Sequence, residues 1–357
     1  MKSQNSIEVV STTTRFIEIG SSWTTLWLKA GSSIFQSHAW INAWRTTKLE
    51  SENRQLHIAI LWRGDEMEAI LPLSIVKRHG LSILQWAAKE HSDYCDAIAC
   101  AEANQGHTLN HLWRGLVEIG GFDLIYLNHI APDAAIRPIL EQSAIIRLHE
   151  IDRPEACLKI CGGSASGDEW FRTLSRNARH HYTRGNRYLS NEGSVVFRQW
   201  SGAEPLDPII DRIAALKQHW LARRRLQSTL FSNASAPLKA FVRVMAEAGI
   251  LRLSLMECGD LIVAGSINFV HDSKLMGYLS SYDEAYKKTS PGTNLMINYV
   301  RQAFDDGLNE VDLLRGDEEY KRKFATERVK LTTYIGGRTS IGLAASAFER
   351  CRAKIRN

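Results

Sequence analysis

The sequence predicts a mixed α/β (α+β) protein with two mixed β-sheets flanked by helices, one sheet from each half of the chain. Three observations lead there. At 357 residues the chain exceeds the roughly 250–300 residues over which a single core keeps growing, so two domains are the default. Apolar runs of period two alternate with runs of helical period along the whole length. One hairpin pattern occurs in both halves at a fixed offset.

The elements follow in order. Residues 15–19 read as a short strand, and SSWTTLWLKA and SIFQSHAWINAWRTTKL, with Trp and aliphatic residues at helical spacing, read as helices. LHIAILWR and EMEAILPLSIV are β-rich runs joined at Gly64-Asp65, a hairpin turn. SILQWAA and DAIAC continue as strands, HTLNHLWRGLVEIG is a helix ended by Gly120-Gly121, DLIYLNHI is a strand, and a helix covers residues 133–143. The small-residue run Gly162-Gly163-Ser164-Ala165-Ser166-Gly167 reads as a loop between domains.

The second half opens with one long polar helix, DEWFRTLSRNARHHYTRGNRYLSNEG, followed by strand VVFRQW and helix PLDPIIDRIAALKQHWLARRR. A helix ending near Gly249 precedes a hairpin of LRLSLMEC and LIVAGSINFV around Gly259-Asp260. Strand LMGYLSSY, helix NLMINYVRQAFDDG stopping at Gly307, strand EVDLLR, helix EEYKRKFA, the β stretch VKLTTYIGG and a closing helix complete the order. These boundaries predict an N-terminal domain over 1–160, a C-terminal domain over 161–340 and a terminal helix over 341–357.

The repeat is visible residue by residue. Leu56 to Asp65 and Leu251 to Asp260 both read Leu-x-(Ile/Leu)-(Ala/Ser)-(Ile/Leu)-(Leu/Met)-x-x-Gly-Asp, and Ala69 and Ala264 keep the same offset of 195. Asp123-Leu124-Ile125 and Asp312-Leu313-Leu314 each follow a Gly-terminated helix at an offset of 189. Internal duplication accounts for both; Gly-Asp is a good turn in any hairpin, so chance similarity is the alternative.

Composition removes several classes. The apolar fraction is 44%, with ten Trp, ten Tyr and eleven Phe against eight Pro, which excludes a mostly disordered chain. Forty-four Lys and Arg against 39 Asp and Glu leave +5, too mild for a nucleic-acid-coating protein but compatible with anionic ligands. Cys95, Cys100, Cys157, Cys161, Cys258 and Cys351 have no zinc spacing, so no metal is expected and free thiols in a reducing compartment fit best. The N-terminus lacks the apolar core of a signal peptide and no apolar run approaches a membrane span, so a cytoplasmic protein is expected, with peripheral attachment through basic helices left open. Gly-x-Ser-x-Gly, His-Glu-x-x-His and Walker patterns are absent from the sequence.

The segment from Leu275 to Lys323 carries the chemistry. Pro291 and Gly292 let the chain turn tightly into a helix whose first turn presents unpaired N–H groups and the positive end of its dipole, with Ser290, Thr293 and Asn294 available to donate. A pyrophosphate fits there; ordinary helix capping is the alternative. Arg315 and Lys321 add positive charge that either pairs with nearby carboxylates or contacts phosphate on donor or acceptor. Arg172, Arg176, Arg179, His180, Arg184 and Arg187 form a basic helical face, either solvated or turned to an anionic acceptor. His219, beside Trp220, reads as a packed histidine or as an acid/base group.

LMGYLSSYDEAYKKTSPGTNLMINYVRQAFDDGLNEVDLLRGDEEYKRKFA resembles the C-terminal core of the CelD/BcsL-type acetyltransferases. That group of the GNAT (acyl-CoA N-acyltransferase) superfamily is associated with cellulose and exopolysaccharide biosynthesis and is related to the Fem-type aminoacyltransferases. The resemblance extends through SIFQSHAWINAW, EAILPL, DYCDAI and LKQHW, over roughly residues 15–335. It implies a tandem GNAT-like fold and acetyl-CoA as donor, with Ser290, Pro291, Gly292, Thr293 and Asn294 against the CoA pyrophosphate. The pantetheine arm would lie between the strands near Tyr278–Tyr282 and Val311–Arg315. It also implies Tyr320 as the acid for the leaving thiolate, with Asp317, Asp283 and Glu318 the nearest candidates for the base. Where members of the superfamily often show Arg/Gln-x-x-Gly-x-Gly/Ala, Ser290 to Leu295 has a single Gly. The implied acceptor is an amine on a lipid- or nucleotide-linked sugar or related metabolite, with polysaccharide-synthesis machinery as a partner. No nucleic acid is expected, except tRNA under an alternative Fem-like donor; a non-catalytic accessory role is the other alternative.

Overall fold

The computed structural model describes residues 5–48, 53–101, 104–151, 153, 155–162 and 164–356; the first four residues of the N-terminal segment, Leu49 of the second expected helix and Gly163 of the expected loop lie outside them. The chain forms two compact units, Met1–Glu155 together with Val329–Asn357, and Ala156–Arg328.

The first unit starts with β1 (Asn5–Val10) and helices α1 (Thr13–Glu18), α2 (Gly20–Ala30) and α3 (His38–Lys48). The strand expected over 15–19 is therefore a helix: Thr12 caps it by accepting from the Arg15 amide at 3.3 Å, and Phe16 is its buried residue. Next come β2 (Arg54–Leu56), β3 (Ile58–Arg63), β4 (Glu66–Leu71), β5 (Leu73–Arg78), β6 (Leu81–Trp86), β7 (Ile98–Ala99), α4 (Gln105–Ile119), β8 (Leu124–Ile130), α5 (Arg137–Glu141) and β9 (His149–Ile151). β6 and β8 are parallel, paired at Ile83 with Leu124 and Leu84 with Ile125. Helix α4 buries Leu109, Leu112, Trp113 and Leu116 in this unit's core.

The second unit runs through β10 (Ala156–Cys161), α6 (Gly167–Thr173), α7 (Arg176–Leu189), β11 (Val195–Gln199), α8 (Leu206–Arg223), α9 (Ser232–Glu247), β12 (Leu251–Cys258), β13 (Leu261–His271) and β14 (Lys274–Tyr282). A 3-10 turn over Glu284–Thr289 leads to α10 (Pro291–Asp305), β15 (Glu310–Arg315), α11 (Glu319–Arg322) and β16 (Glu327–Lys330). The single long helix expected over 168–193 is two, because Ser175 leaves the helical conformation and caps α7 by accepting from the Ala178 amide at 3.2 Å. The sheet has the order β11-β12-β13-β14-β15-β10-β16, and β14 and β15 pair in parallel. Helix α10 packs its buried face, including Leu295, Ile297 and Val300, on this sheet.

The last elements, β17 (Thr332–Gly337) and α12 (Ser340–Arg356), return to the first unit, where β17 lies between β8 and β9 in a six-stranded sheet of order β2-β5-β6-β8-β17-β9. The strands β1-β3-β4-β7 form a separate sheet there, so the single sheet expected for the first half is two: β3 passes its backbone bonds to β1 and β4, while β5 and β6 pair with each other. Residues 329–340 thus leave the expected C-terminal domain and 156–160 join it, because the backbone of β17 bonds to β8 while that of β10 bonds to β15.

The duplication extends to register. Leu61 faces Ala69 and Met256 faces Ala264, and in both hairpins the pairing slips immediately after that pair. In each unit a helix then precedes a strand that joins the sheet in parallel, α4 before β8 and α10 before β15. The Asp-Leu match at offset 189 is not a structural equivalence. Asp123 lies ahead of β8, where its carboxylate accepts from Ser82 N and Thr339 Oγ1, both at 2.9 Å, whereas Asp312 is within β15. The bulges mark the true correspondence: His129 in β8 and Leu314 in β15 both take positive φ, at 58° and 57°.

Candidate active site

The second unit's parallel strands meet at only three positions, Lys274 with Glu310, Leu275 with Val311 and Met276 with Asp312. Both strands then bulge. Tyr278 is the extra residue where the register of β14 on β13 slips. In β15 the buried Leu314 sits at φ 57°, a conformation rarely taken by a branched aliphatic residue, and its amide donates to Asp312 Oδ1 at 2.7 Å. Past Met276 the two strands part.

Two cavities matter here, of which the smaller adjoins this opening. The larger, about 900 Å³, is bounded by Asn177, His181 and Tyr182 of α7, by Ser290, Thr293 and Asn294 at the start of α10, and by Lys323 and Phe324. The smaller, about 210 Å³, is bounded by Gly277–Ser280 of β14, Leu313 and Arg315 of β15, Lys217 of α8, and Tyr299, Glu318 and Lys321. Tyr320 borders both.

The start of α10 divides the expected donor-binding set. Ser290 takes the left-handed conformation, and its side chain makes no capping bond. Ser290 and Thr293 border the larger cavity, and the Gly292 and Thr293 amides belong to the first turn, which no helix carbonyl satisfies. Pro291 is buried. Asn294, 2% exposed, gives its amide group to Asn186 Oδ1 at 2.7 Å and so ties α10 to α7. At Gly292 an added Cβ would come within 2.9 Å of the Tyr282 ring, so glycine keeps that aromatic close to the turn.

Tyr320 has the environment of an acid that stays protonated. Although 38% of the residue is exposed, desolvation, then Tyr299 and then Glu318, pushes its pKa above the ordinary phenol range. Burial likewise raises Tyr299, whose hydroxyl bonds to Ser280 and Ser266. The two serine hydroxyls are 2.7 Å apart, Ser266 donates to Asn268 Oδ1 at 2.7 Å, and Asn268 donates to Ser254 at 3.2 Å. A buried polar chain therefore crosses β12, β13 and β14 and ends at the smaller cavity.

The expected bases are engaged elsewhere. Asp283 accepts from the Ala285 amide at 3.0 Å and pairs with Arg212 at 2.8 Å, which uses both carboxylate oxygens. Asp317 lies between Arg322 at 3.5 Å and Arg328 at 3.8 Å. Neither borders either of these two cavities; Glu318 borders the smaller, 3.3 Å from Lys321 Nζ. Lys321 is 8% exposed and also donates to the Arg315 carbonyl at 2.9 Å, which places both expected cations at the smaller cavity. Arg176 is exposed at the first position of α7, and Arg179 donates to the Arg172 carbonyl at 2.6 Å. Those two, and the exposed His219, border neither cavity.

Sequence reasoning missed Lys217. It lies on the apolar stripe of α8, four residues after Ile213 and seven after Ile210, and a lysine on a buried stripe is itself a signal.

Residues 176–322 match the family described as acetyltransferase (GNAT) domain. No curated protein matches the chain. Among solved structures the chain is similar to FemX, with TM-score 0.62 and 10% identity over 91% of this chain and 96% of that one. It is also similar to the C-terminal domain of a putative lysylphosphatidylglycerol synthetase from Agrobacterium fabrum, with TM-score 0.56 and 10% identity over 93% and 95%. A tandem GNAT protein from the clavulanic acid biosynthesis pathway matches at TM-score 0.50 and 9% identity over 94% and 99%. At these identities the likeness is one of fold. The chain has a tandem GNAT-like, acyltransferase-type architecture.

Proposed function

We propose that the C-terminal unit is an N-acyltransferase that takes an acyl group, acetyl in the simplest case, from coenzyme A. The acceptor in this reading is an amine on a sugar or related metabolite of cellulose, exopolysaccharide or envelope synthesis. The observation that carries it is the parting of β14 from β15 at a cavity that shares Tyr320 with a larger one.

Each part then has a task. The first turn of α10 offers its Gly292 and Thr293 amides and the Ser290 and Thr293 hydroxyls to the donor's phosphates. The parted strands offer backbone groups to an amide-bearing arm, in the manner of strand addition. The amine attacks the thioester carbonyl from the smaller cavity, the carbon–sulfur bond breaks, and Tyr320 gives its proton to the departing thiolate. With Asp283 and Asp317 held by arginines, the amine proton passes to Glu318 or to water, or the acceptor binds as the free amine. No helix among the described residues is long and apolar enough to cross a membrane, and this reading places the work in the cytoplasm.

Calorimetric titration of the purified protein with acetyl-CoA and with CoA tests the proposal, and saturable binding of both is expected. Failure of both to bind would overturn it, leaving an aminoacyl-tRNA donor or a non-catalytic accessory role in polysaccharide synthesis.

A further inference from the structure

We infer that the smaller cavity anchors the acceptor by an oxyanion, a carboxylate or a phosphate carried on the amine substrate, and that Lys217 is the residue that holds it. The inference rests on the reading of the larger cavity as the donor's.

Lys217 reaches the cavity from α8. Its ammonium donates to the Ser280 carbonyl at 3.3 Å and lies 4.5 Å from the centre of the Trp220 ring. Among the described residues no carboxylate lies within 4.0 Å of it. An ammonium has three N–H donors, and one long bond to a carbonyl with one ring face leaves it under-satisfied. Burial pushes its pKa down, Lys321 and Arg224 push it further, and Glu318 opposes them. A charge so placed is costly unless something supplies the opposite sign.

The surroundings do not supply it. The lining brings Lys217 and Lys321 against one carboxylate, Glu318, which sits 3.3 Å from Lys321. At about 210 Å³ the space is smaller than a pocket for a drug-sized ligand, so it admits a charged end group and not a whole nucleotide-linked sugar. Tyr320 and the parted strands border the same space, so an amine a few bonds from that end group would lie next to the thioester. The cations also disfavour an ammonium there, so the acceptor's amine is held in its nucleophilic form although Asp283 and Asp317 face elsewhere.

The test uses the full-length protein and three probes: glucosamine, glucosamine 6-phosphate and β-alanine. Reductive methylation of Lys217 near neutral pH is followed by peptide mass spectrometry with and without each probe. At least one oxyanion-bearing amine should protect Lys217 about tenfold better than glucosamine, and the better of the two tells phosphate from carboxylate. Lys217→Met should weaken binding of that probe about ten- to a hundredfold and leave acetyl-CoA affinity unchanged, while Lys217→Arg keeps most of it. Equal protection by glucosamine, or protection by none, overturns the inference even where acetyl-CoA binds. Protection by an oxyanion in a protein that does not bind acetyl-CoA supports the anion site and overturns the transferase reading alone.

Discussion

Each unit contains a pair of parallel strands that meet briefly and then part, β6 with β8 and β14 with β15, but the two units treat the opening in opposite ways. In the first unit the chain that follows β6 folds back onto the bulge of β8. The Cys95 amide donates to the His129 carbonyl at 3.0 Å, His129 Nδ1 lies 2.8 Å from the Ser92 carbonyl, and Gln85 and Trp86 are buried. In the second unit the turn after β14 goes to α8, where Glu284 pairs with Arg223, and the end of β15 borders a cavity. The helix starts differ as well. Gln105 at the start of α4 donates to the Ala99 carbonyl at 3.0 Å, and the cavity of about 460 Å³ beside it is lined by Asp65, Glu66 and Glu68 along with Lys29 and Arg63. Three carboxylates there oppose a phosphate. The fold recurs in both units, and the proposed reading places a donor in the second alone.

The largest test of that asymmetry is a pair of tyrosines. Tyr320→Phe should lower turnover about a hundredfold with donor affinity kept, whereas Tyr126→Phe in β8 should leave turnover as it was. Steady-state rates and acetyl-CoA titrations measure both; similar losses in the two variants would end the contrast.

Next is a pH effect confined to the first unit. Asp96 is pushed up to about 6 by burial, against bonds from the Ile136, Ala135 and Ala97 amides that favour its charged form. A carboxyl whose folded pKa is raised retains its proton after the unfolded chain has lost it. Stability is therefore full below about pH 4 and declines as pH rises through 6, by about 2 kcal/mol given that the residue keeps a solvent-facing edge. The free energy of urea unfolding should fall over that range; a flat profile would mean that the folded state does not hold the proton longer than the unfolded chain.

The glycines at the two helix starts sharpen the comparison further. Gly292→Leu drives a side chain into the Tyr282 ring and should weaken acetyl-CoA binding about tenfold, while Gly106, with nothing near its missing Cβ, should accept Leu silently. Smallest is Asp283→Asn, which should lower stability by about 1 kcal/mol through the Arg212 pair and leave turnover near wild type. A large fall in turnover would return Asp283 to the chemistry.

The sequence carried the hairpins because a Gly-Asp turn between period-two runs is local information, and register follows from it. It also located the Ser290–Asn294 turn, since Pro and Gly at a helix start act locally. Which of those side chains are already engaged was not legible, because Asn294 is held by Asn186, 108 residues earlier. The engagement of Asp283 was hidden for the same reason, as its partner Arg212 lies 71 residues away. Strand signals likewise say nothing about which sheet a strand joins, so the destinations of β10 and β17 had no signature. Lys217 was within reach of periodicity alone.

The return of β17 sets a timetable for synthesis. The six-stranded sheet of the first unit lacks the strand between β8 and β9 until residues 332–337 have left the ribosome, by which time all of the second unit has been made. Through that interval β8 presents an unpaired edge, the kind of surface on which nascent chains misassemble. The second unit has its own missing strand, β10, in hand from the start. The half that holds the proposed chemistry can finish first, and the half that was made first must wait for the tail.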